Sequence, residues 1–244
     1  MDLIQKTILI TGGSRGIGRG LAERLVREGA HLILVARSED RLKEFVTQYG
    51  TKHRYYVCDL SDCKQVAKLT ESIQKEYATI DMLINVAGIG IYKNLLETSL
   101  SDWQSSFDTN VTAPFILTQG LLPLLQKTKD SLVLNIGSGA GNIPMRGRSM
   151  YCATKFALRG WTLSLAEEFK DKSPRFFLIT LGSTLTSFSG KSVEEKKKEQ
   201  AAGRAYFPVE WVANQLIAIL KNDNRDTEIT LFPGDFGFGT WKKP

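Results

Sequence analysis

Two hydrophobic rhythms alternate along this chain. Short runs rich in β-branched and aliphatic residues fall at residues 7–11, 31–36, 54–57, 82–85, 132–136, 175–180 and 228–232. Such runs mark strands buried on both faces. Between them, apolar positions recur every three or four residues over 17–28, 39–49, 62–77, 101–126, 149–169 and 209–221, which predicts helices, the fourth with a break before Pro114. Strand and helix in strict alternation give parallel strands covered on both faces. Right-handed crossovers make that a doubly wound α/β sheet of about seven parallel strands, whose ligand crevice opens at the carboxyl ends of the strands. No repeat, low-complexity linker or shift of composition divides the chain, so residues 1–244 read as a single domain. One polar segment, 187–207, interrupts the rhythm after the sixth strand and reads as a short helical lid, and 235–244 forms an aromatic tail.

Composition narrows the classes. With 244 residues, 42% of them hydrophobic, the chain has ample core. No apolar run reaches the ~18 residues of a membrane span, and Met1 to Lys6 leads into a strand instead of a signal peptide, so a soluble cytoplasmic protein without membrane contact is expected. The formal charge of +6 is scattered, and the densest basic run, Lys196-Lys197-Lys198, lies among Glu194, Glu195 and Glu199. It reads as a solvated helix face, not a nucleic-acid surface, while the net charge can steer an anionic ligand. Cys58, Cys63 and Cys152 form no Cys-x-x-Cys pair, and His31 and His53 lack ligand spacing, so reduced thiols, structural histidines and no metal are expected.

The first strand runs into Thr11-Gly12-Gly13-Ser14-Arg15-Gly16-Ile17-Gly18 and then a helix. That arrangement brings backbone amides and a helix amino terminus onto a pyrophosphate, with glycine where a side chain would block approach. Sites of this type that prefer NAD place an acid near the end of the second strand to bind the ribose 2′-hydroxyl. Here that end reads Ala36-Arg37-Ser38, and Arg37 and Arg15 stand where a 2′-phosphate would be gripped, which favours NADP(H) over NAD(H). Asp59, beside Leu60, is placed to accept a hydrogen bond from adenine, although Asp62 is the better helix cap; small residues in Asn85-Val86-Ala87-Gly88 allow approach to the adenosine ribose.

Tyr151 is followed four residues on by Lys155, and Ser138 lies thirteen residues upstream at a strand end. Positions i and i+4 share a helix face, and a cation beside a phenol lowers its pKa from ~10 toward neutrality. With the glycine loop, Asp59, Asn85, Ala87, Gly88, Asn110, Gly182 and Thr186 in the same order, the chain from Thr7 to about Phe232 resembles the single-domain short-chain dehydrogenase/reductases. The resemblance implies a Rossmann-like fold. It makes Tyr151 the proton donor to a carbonyl oxygen, Lys155 the holder of the nicotinamide ribose and stabiliser of the phenolate, Ser138 a hydrogen-bond donor to the substrate oxygen, and Asn110 the holder of a relay water. Gly182, Thr184 and Thr186 would meet the nicotinamide. Two departures stand out: Leu181 replaces the proline usual before Gly182, and Val86 a common second asparagine.

An apolar substrate wall is expected from Tyr92, Ile143, Met145 and Phe188; Arg146 or Arg148 would meet an anionic group, though solvent exposure is the favoured reading for both. The leading expectation is an NADPH-dependent carbonyl reductase. A 3-oxoacyl-carrier-protein reductase fits less well, because the Thr-Arg-Asp of that group is replaced by Ile89-Gly90-Ile91. An NADP-dependent dehydrogenase of a small hydroxy compound is the alternative, and a catalytically silent dinucleotide-binding regulator is a third reading. The family commonly forms homodimers or homotetramers through the helices at 101–126 and 149–169, and the tail aromatics Phe236, Phe238 and Trp241 call for a surface to cover them.

Overall fold

A computed structural model describes residues 1–240; Trp241, expected in the aromatic tail, lies outside the described residues. Seven strands, β1 (Thr7–Thr11), β2 (His31–Ala36), β3 (Arg54–Val57), β4 (Met82–Asn85), β5 (Leu132–Ile136), β6 (Arg175–Leu181) and β7 (Glu228–Leu231), form one sheet in the order β3-β2-β1-β4-β5-β6-β7. Every pairing is parallel. Both faces are buried because strand side chains alternate between them. Ile8 and Ile10 join α1 (Gly16–Arg27), α2 (Glu39–Tyr49) and α8 (Val209–Lys221) on one side, while Leu9 meets α3 (Cys63–Glu76) and α5 (Ala113–Gln126) on the other. Winding runs outward from β1 to β3, then returns to β4 on the opposite flank of β1. At that reversal the connections leave to opposite faces, and a crevice opens beyond the carboxyl ends of β1 and β4.

The expected helix at 101–126 is two helices. α4 (Leu100–Phe107) passes through a π turn, Asp108–Thr112, into α5. Pro114 has no N–H to give the Asn110 carbonyl, and the Ala113 amide instead donates to the Asp108 carbonyl, five residues back. The break therefore falls one turn earlier than proline alone suggests.

After β6 the chain bridges Thr184 to Phe207, so the segment 187–207 starts and finishes at one point. It carries α7 (Val193–Ala201), whose start is fixed by Ser192 and Glu195 in a capping box. Between α4 and β6 lies α6 (Ser149–Glu168). Phe236 and Phe238 pack around Phe207 and Trp211 of the same chain, and Phe236 stays 46% exposed. No described helix is long and apolar enough to cross a membrane.

Candidate active site

The strand ends open onto one cavity of about 700 Å³. Its floor at the β1 end is main chain. Gly12 has a φ of +72°, and a Cβ there would stand 3.0 Å from the Ala87 Cα; a Cβ on Gly18 would run into the Gly12 carbonyl oxygen. Both positions therefore require glycine. Helix α1 starts at Gly16 with no side-chain cap from Arg15, which leaves its first amides and the positive end of its dipole toward the cavity. Ser14, Arg15, Gly16, Ile17, Ala87 and Gly88 line the same space. A phosphate-bearing dinucleotide fits this cradle, since its glycines are held open where side chains would fill it.

Toward the β2 end the wall is Ala36, Arg37, Ser38 and Arg41, then Cys58, Asp59 and Leu60 after β3. Asp59 accepts from the Ser61 amide at 3.0 Å and hydroxyl at 2.8 Å, and the Arg37 guanidinium stands 3.8 Å away. Burial raises its pKa, but the Ser61 bonds and the Arg37 charge outweigh burial and hold the carboxyl below its ordinary value. Asp62 caps α3, accepting from the Lys64 and Gln65 amides. Arg15 reaches across the mouth to donate to the Ser187 hydroxyl at 3.3 Å. Arg41, not anticipated from sequence, joins the wall from the first turn of α2.

Two expected residues lie behind the wall. Asn85 donates to Asn135 at 2.8 Å, and Asn135 to Thr162 at 2.8 Å, a buried ladder across β4, β5 and α6. The Asn110 amide accepts from the Ile89 N–H at 2.8 Å and donates to the Ile89 carbonyl at 2.9 Å and to Thr154 at 3.0 Å. Both of its N–H donors are thus engaged. Its side chain clamps the loop after β4 to α6.

At the β5 end Ser138, Tyr151 and Lys155 meet, the last two one helical turn apart on α6 and both buried. Lys155 donates to the Ile136 carbonyl at 2.9 Å, which fixes its ammonium beside the strand end, 5.9 Å from the Tyr151 ring centroid. Burial pushes Lys155 down to about 8. Tyr151 departs from the sequence expectation: burial raises its phenol above the ordinary value, nearby Tyr92 adds to the rise, and hydrogen bonding from Ser138 and the Arg148 charge only partly oppose it. Desolvation is the largest cause of that rise.

Tyr92, Ile143, Met145 and Phe188 line the far end as expected. Tyr92 meets the Tyr151 ring edge-on at 5.5 Å, and Phe188 lies 5.8 Å from it. Gly182, Thr184 and Thr186 line the cavity after β6. The two arginines divide: Arg146 is exposed, but Arg148 is half-buried and turned into the cavity. Lys196 corrects the solvated-face reading of its helix, because it is 6% exposed and donates to the Thr186 carbonyl at 2.7 Å and the Phe188 carbonyl at 3.1 Å. Irregular backbone leaves those carbonyls without helix or sheet partners, and a lysine reaches them. Arg204, Tyr206 and Phe232, also in the wall, carried no local sequence signal. His53 is structural as expected, its ring accepting from the Leu32 amide at 3.2 Å.

Known proteins share this architecture. A 3-oxoacyl-(acyl-carrier-protein) reductase FabG of Haemophilus influenzae is 31% identical over 192 residues, 79% of each chain. An NADP-dependent 3-hydroxy acid dehydrogenase of Schizosaccharomyces pombe is 35% identical over 190 residues, 75% of this chain and 73% of the other. A solved alcohol dehydrogenase from the archaeon Thermococcus sibiricus, complexed with 5-hydroxy-NADP, superposes with a TM-score of 0.84 at 27% identity and covers 98% of this chain and 99% of its own. Residues 6–197 match the short chain dehydrogenase family, and the chain belongs to it: it is an oxidoreductase of the short-chain dehydrogenase/reductase family.

Proposed function

We propose that this protein is an NADP(H)-dependent carbonyl reductase, interconverting a carbonyl compound and its secondary alcohol at Tyr151. The observation that carries the reading is the meeting of Ser138, Tyr151 and Lys155 at one end of a cavity whose other end is a glycine-floored anion cradle. When bound, a nicotinamide dinucleotide supplies or takes up hydride. Tyr151 gives its proton to the carbonyl oxygen as that oxygen gains charge. Ser138 donates a hydrogen bond to the same oxygen. Lys155 holds the nicotinamide ribose, and Asn110 positions Lys155 by tying Thr154, its neighbour on α6, to Ile89. In the reverse direction the same groups take the proton from an alcohol.

Preference for NADP(H) is supported by Arg15, Arg37 and Arg41 around a strand end that ends in Ala36, and by the cofactors named for the Schizosaccharomyces and Thermococcus relatives. The segment 187–207 acts as a lid over a single domain. Assembly as a homodimer or homotetramer is supported by Trp103, Phe115 and Phe156, each 43–45% exposed on α4, α5 and α6.

Tyr151→Phe tests the core of the reading. With any carbonyl substrate that the wild type reduces, kcat is expected to fall by roughly 10²–10⁴-fold, with cofactor affinity retained. Undiminished turnover would remove Tyr151 from the chemistry.

A further inference from the structure

We infer that Arg148 anchors a carboxylate of the substrate, so that the molecule turned over at Tyr151 is an oxo or hydroxy acid. This rests on the reductase reading above. Arg148 is the residue immediately before α6, three positions ahead of Tyr151, and so projects from the same end of the same helix. Its guanidinium carbon lies 4.4 Å over the Tyr92 ring and its Nη1 is 3.6 Å from the Met145 sulfur. Tyr92 in turn meets Tyr151 at 5.5 Å. A single aromatic ring therefore carries the cation on its face and the reacting phenol at its edge, close enough for both to touch one small molecule.

Among the described residues, the other cations lining this end are already engaged. Glu199 pairs with Lys191 and with Arg204, and Lys196 is held by two carbonyls. Arg148 joins no ion pair among the described residues, and the only hydrogen-bond partner of its guanidinium there is the weak sulfur acceptor. The acids of the cavity wall do not serve it: Asp59 faces Arg37 at the nucleotide end, and exposed Asp235 in the turn after β7 makes no ion pair with it. A half-buried guanidinium with an apolar ring beneath it and its planar fork of donors unspent matches a carboxylate in two parallel hydrogen bonds. The thioether and the ring fix its orientation without neutralising it. Neutral ketones and their esters leave that charge unanswered, which is a basis for discrimination and not merely for affinity.

The test compares 2- and 3-oxo acids of three to six carbons with their methyl esters and with a 3-oxoacyl thioester, in the wild type, Arg148→Met and Arg148→Lys. Wild type is expected to favour each accepted acid over its ester by at least about tenfold in kcat/KM, most of it in KM. Arg148→Met brings that ratio close to one, and Arg148→Lys, which keeps the charge and loses the fork, falls between. Equal use of acids and esters by the wild type, preference for the thioester, or an undiminished ratio in Arg148→Met overturns the proposal while leaving the Tyr151 chemistry standing. Calorimetry with the saturated acids and their esters on cofactor-loaded protein decides the matter even without turnover. Acids that bind wild type at least about tenfold more tightly than Arg148→Met support the anchor, and equal binding refutes it. A failure of the reductase reading shows differently, as turnover that Tyr151→Phe does not reduce.

Discussion

At the nucleotide end of the crevice Gly12, Gly18 and Gly88 bring main chain to the surface; at the substrate end Tyr92, Arg148, Phe188 and Tyr206 bring side chains from three separate stretches of sequence. The first is built by local backbone conformation, within one strand-to-helix turn and its neighbour. The second is assembled only when the loop after β4, the start of α6 and the segment 187–207 have all docked. A main-chain site tolerates almost no change at its glycines but binds whatever shares the phosphate backbone. A side-chain site can be rebuilt one residue at a time and so is where specificity varies.

Gly18→Ala gives the sharpest contrast and the largest effect. The new methyl meets the Gly12 carbonyl oxygen, a backbone atom with no rotamer to escape into. Overpacking of this kind costs about 1–3 kcal/mol, and relief requires the cradle to move, so dinucleotide affinity should drop by up to about 100-fold. Phe188→Leu at the other end keeps most of the volume and should change substrate KM by less than about tenfold. Fluorescence titration of NADPH and steady-state kinetics measure the two; wild-type affinity in Gly18→Ala would dissolve the distinction.

Arg37→Met probes the one part of the nucleotide end made of side chain. Arg37 is 63% exposed, so its grip on a 2′-phosphate is screened, and a loss of about tenfold in NADP(H) affinity is expected. NAD(H) lacks that phosphate and should bind the variant as it binds wild type. Calorimetry that finds both cofactors weakened equally would assign Arg37 to fold and not to selection.

The same division explains how much could be read in advance. Strand and helix order, the glycine run and the Tyr151, Lys155 and Ser138 spacing are local patterns, and the structure places all of them within a residue or so of expectation. Pro114 announced a break, yet only the hydrogen bond from Ala113 to Asp108 shows that it takes the form of a π turn carrying Asn110. Arg148 and Arg146 look alike in sequence; the Tyr92 ring beneath one of them distinguishes the two. Asn85 matched a motif, but its partner Asn135 is fifty residues away, and Lys196 sat in a run of charges with nothing to mark the two carbonyls awaiting it. The Tyr151 phenol misled for a related reason. Helical spacing gives the distance to Lys155 but not the depth of burial, and burial decides the direction of the shift.

Lys196 also yields the smallest expected effect, one of pH on the substrate end alone. Burial lowers its pKa from an ordinary value near 10.5 to about 8, with Lys191 and Arg204 pushing the same way and Glu199 opposing. Between those two values the unfolded chain holds a proton on Lys196 that the folded chain has released. Stability therefore rises with pH across that window, and the gain is absent below pH 8, where both states are protonated. Lys196→Met removes the titration and the ammonium that donates to the Thr186 and Phe188 carbonyls. The melting temperature of the wild type minus that of the variant should accordingly widen in favour of the wild type from pH 8 to pH 10, by roughly 2–4 °C for each kcal/mol gained. The nucleotide end, which among the described residues has no buried lysine of this kind in its cradle, should show no matching change in Gly18→Ala. A temperature difference that stays constant across the window would mean that Lys196 is as solvated as its neighbours Lys197 and Lys198, and that the segment 187–207 closes without it.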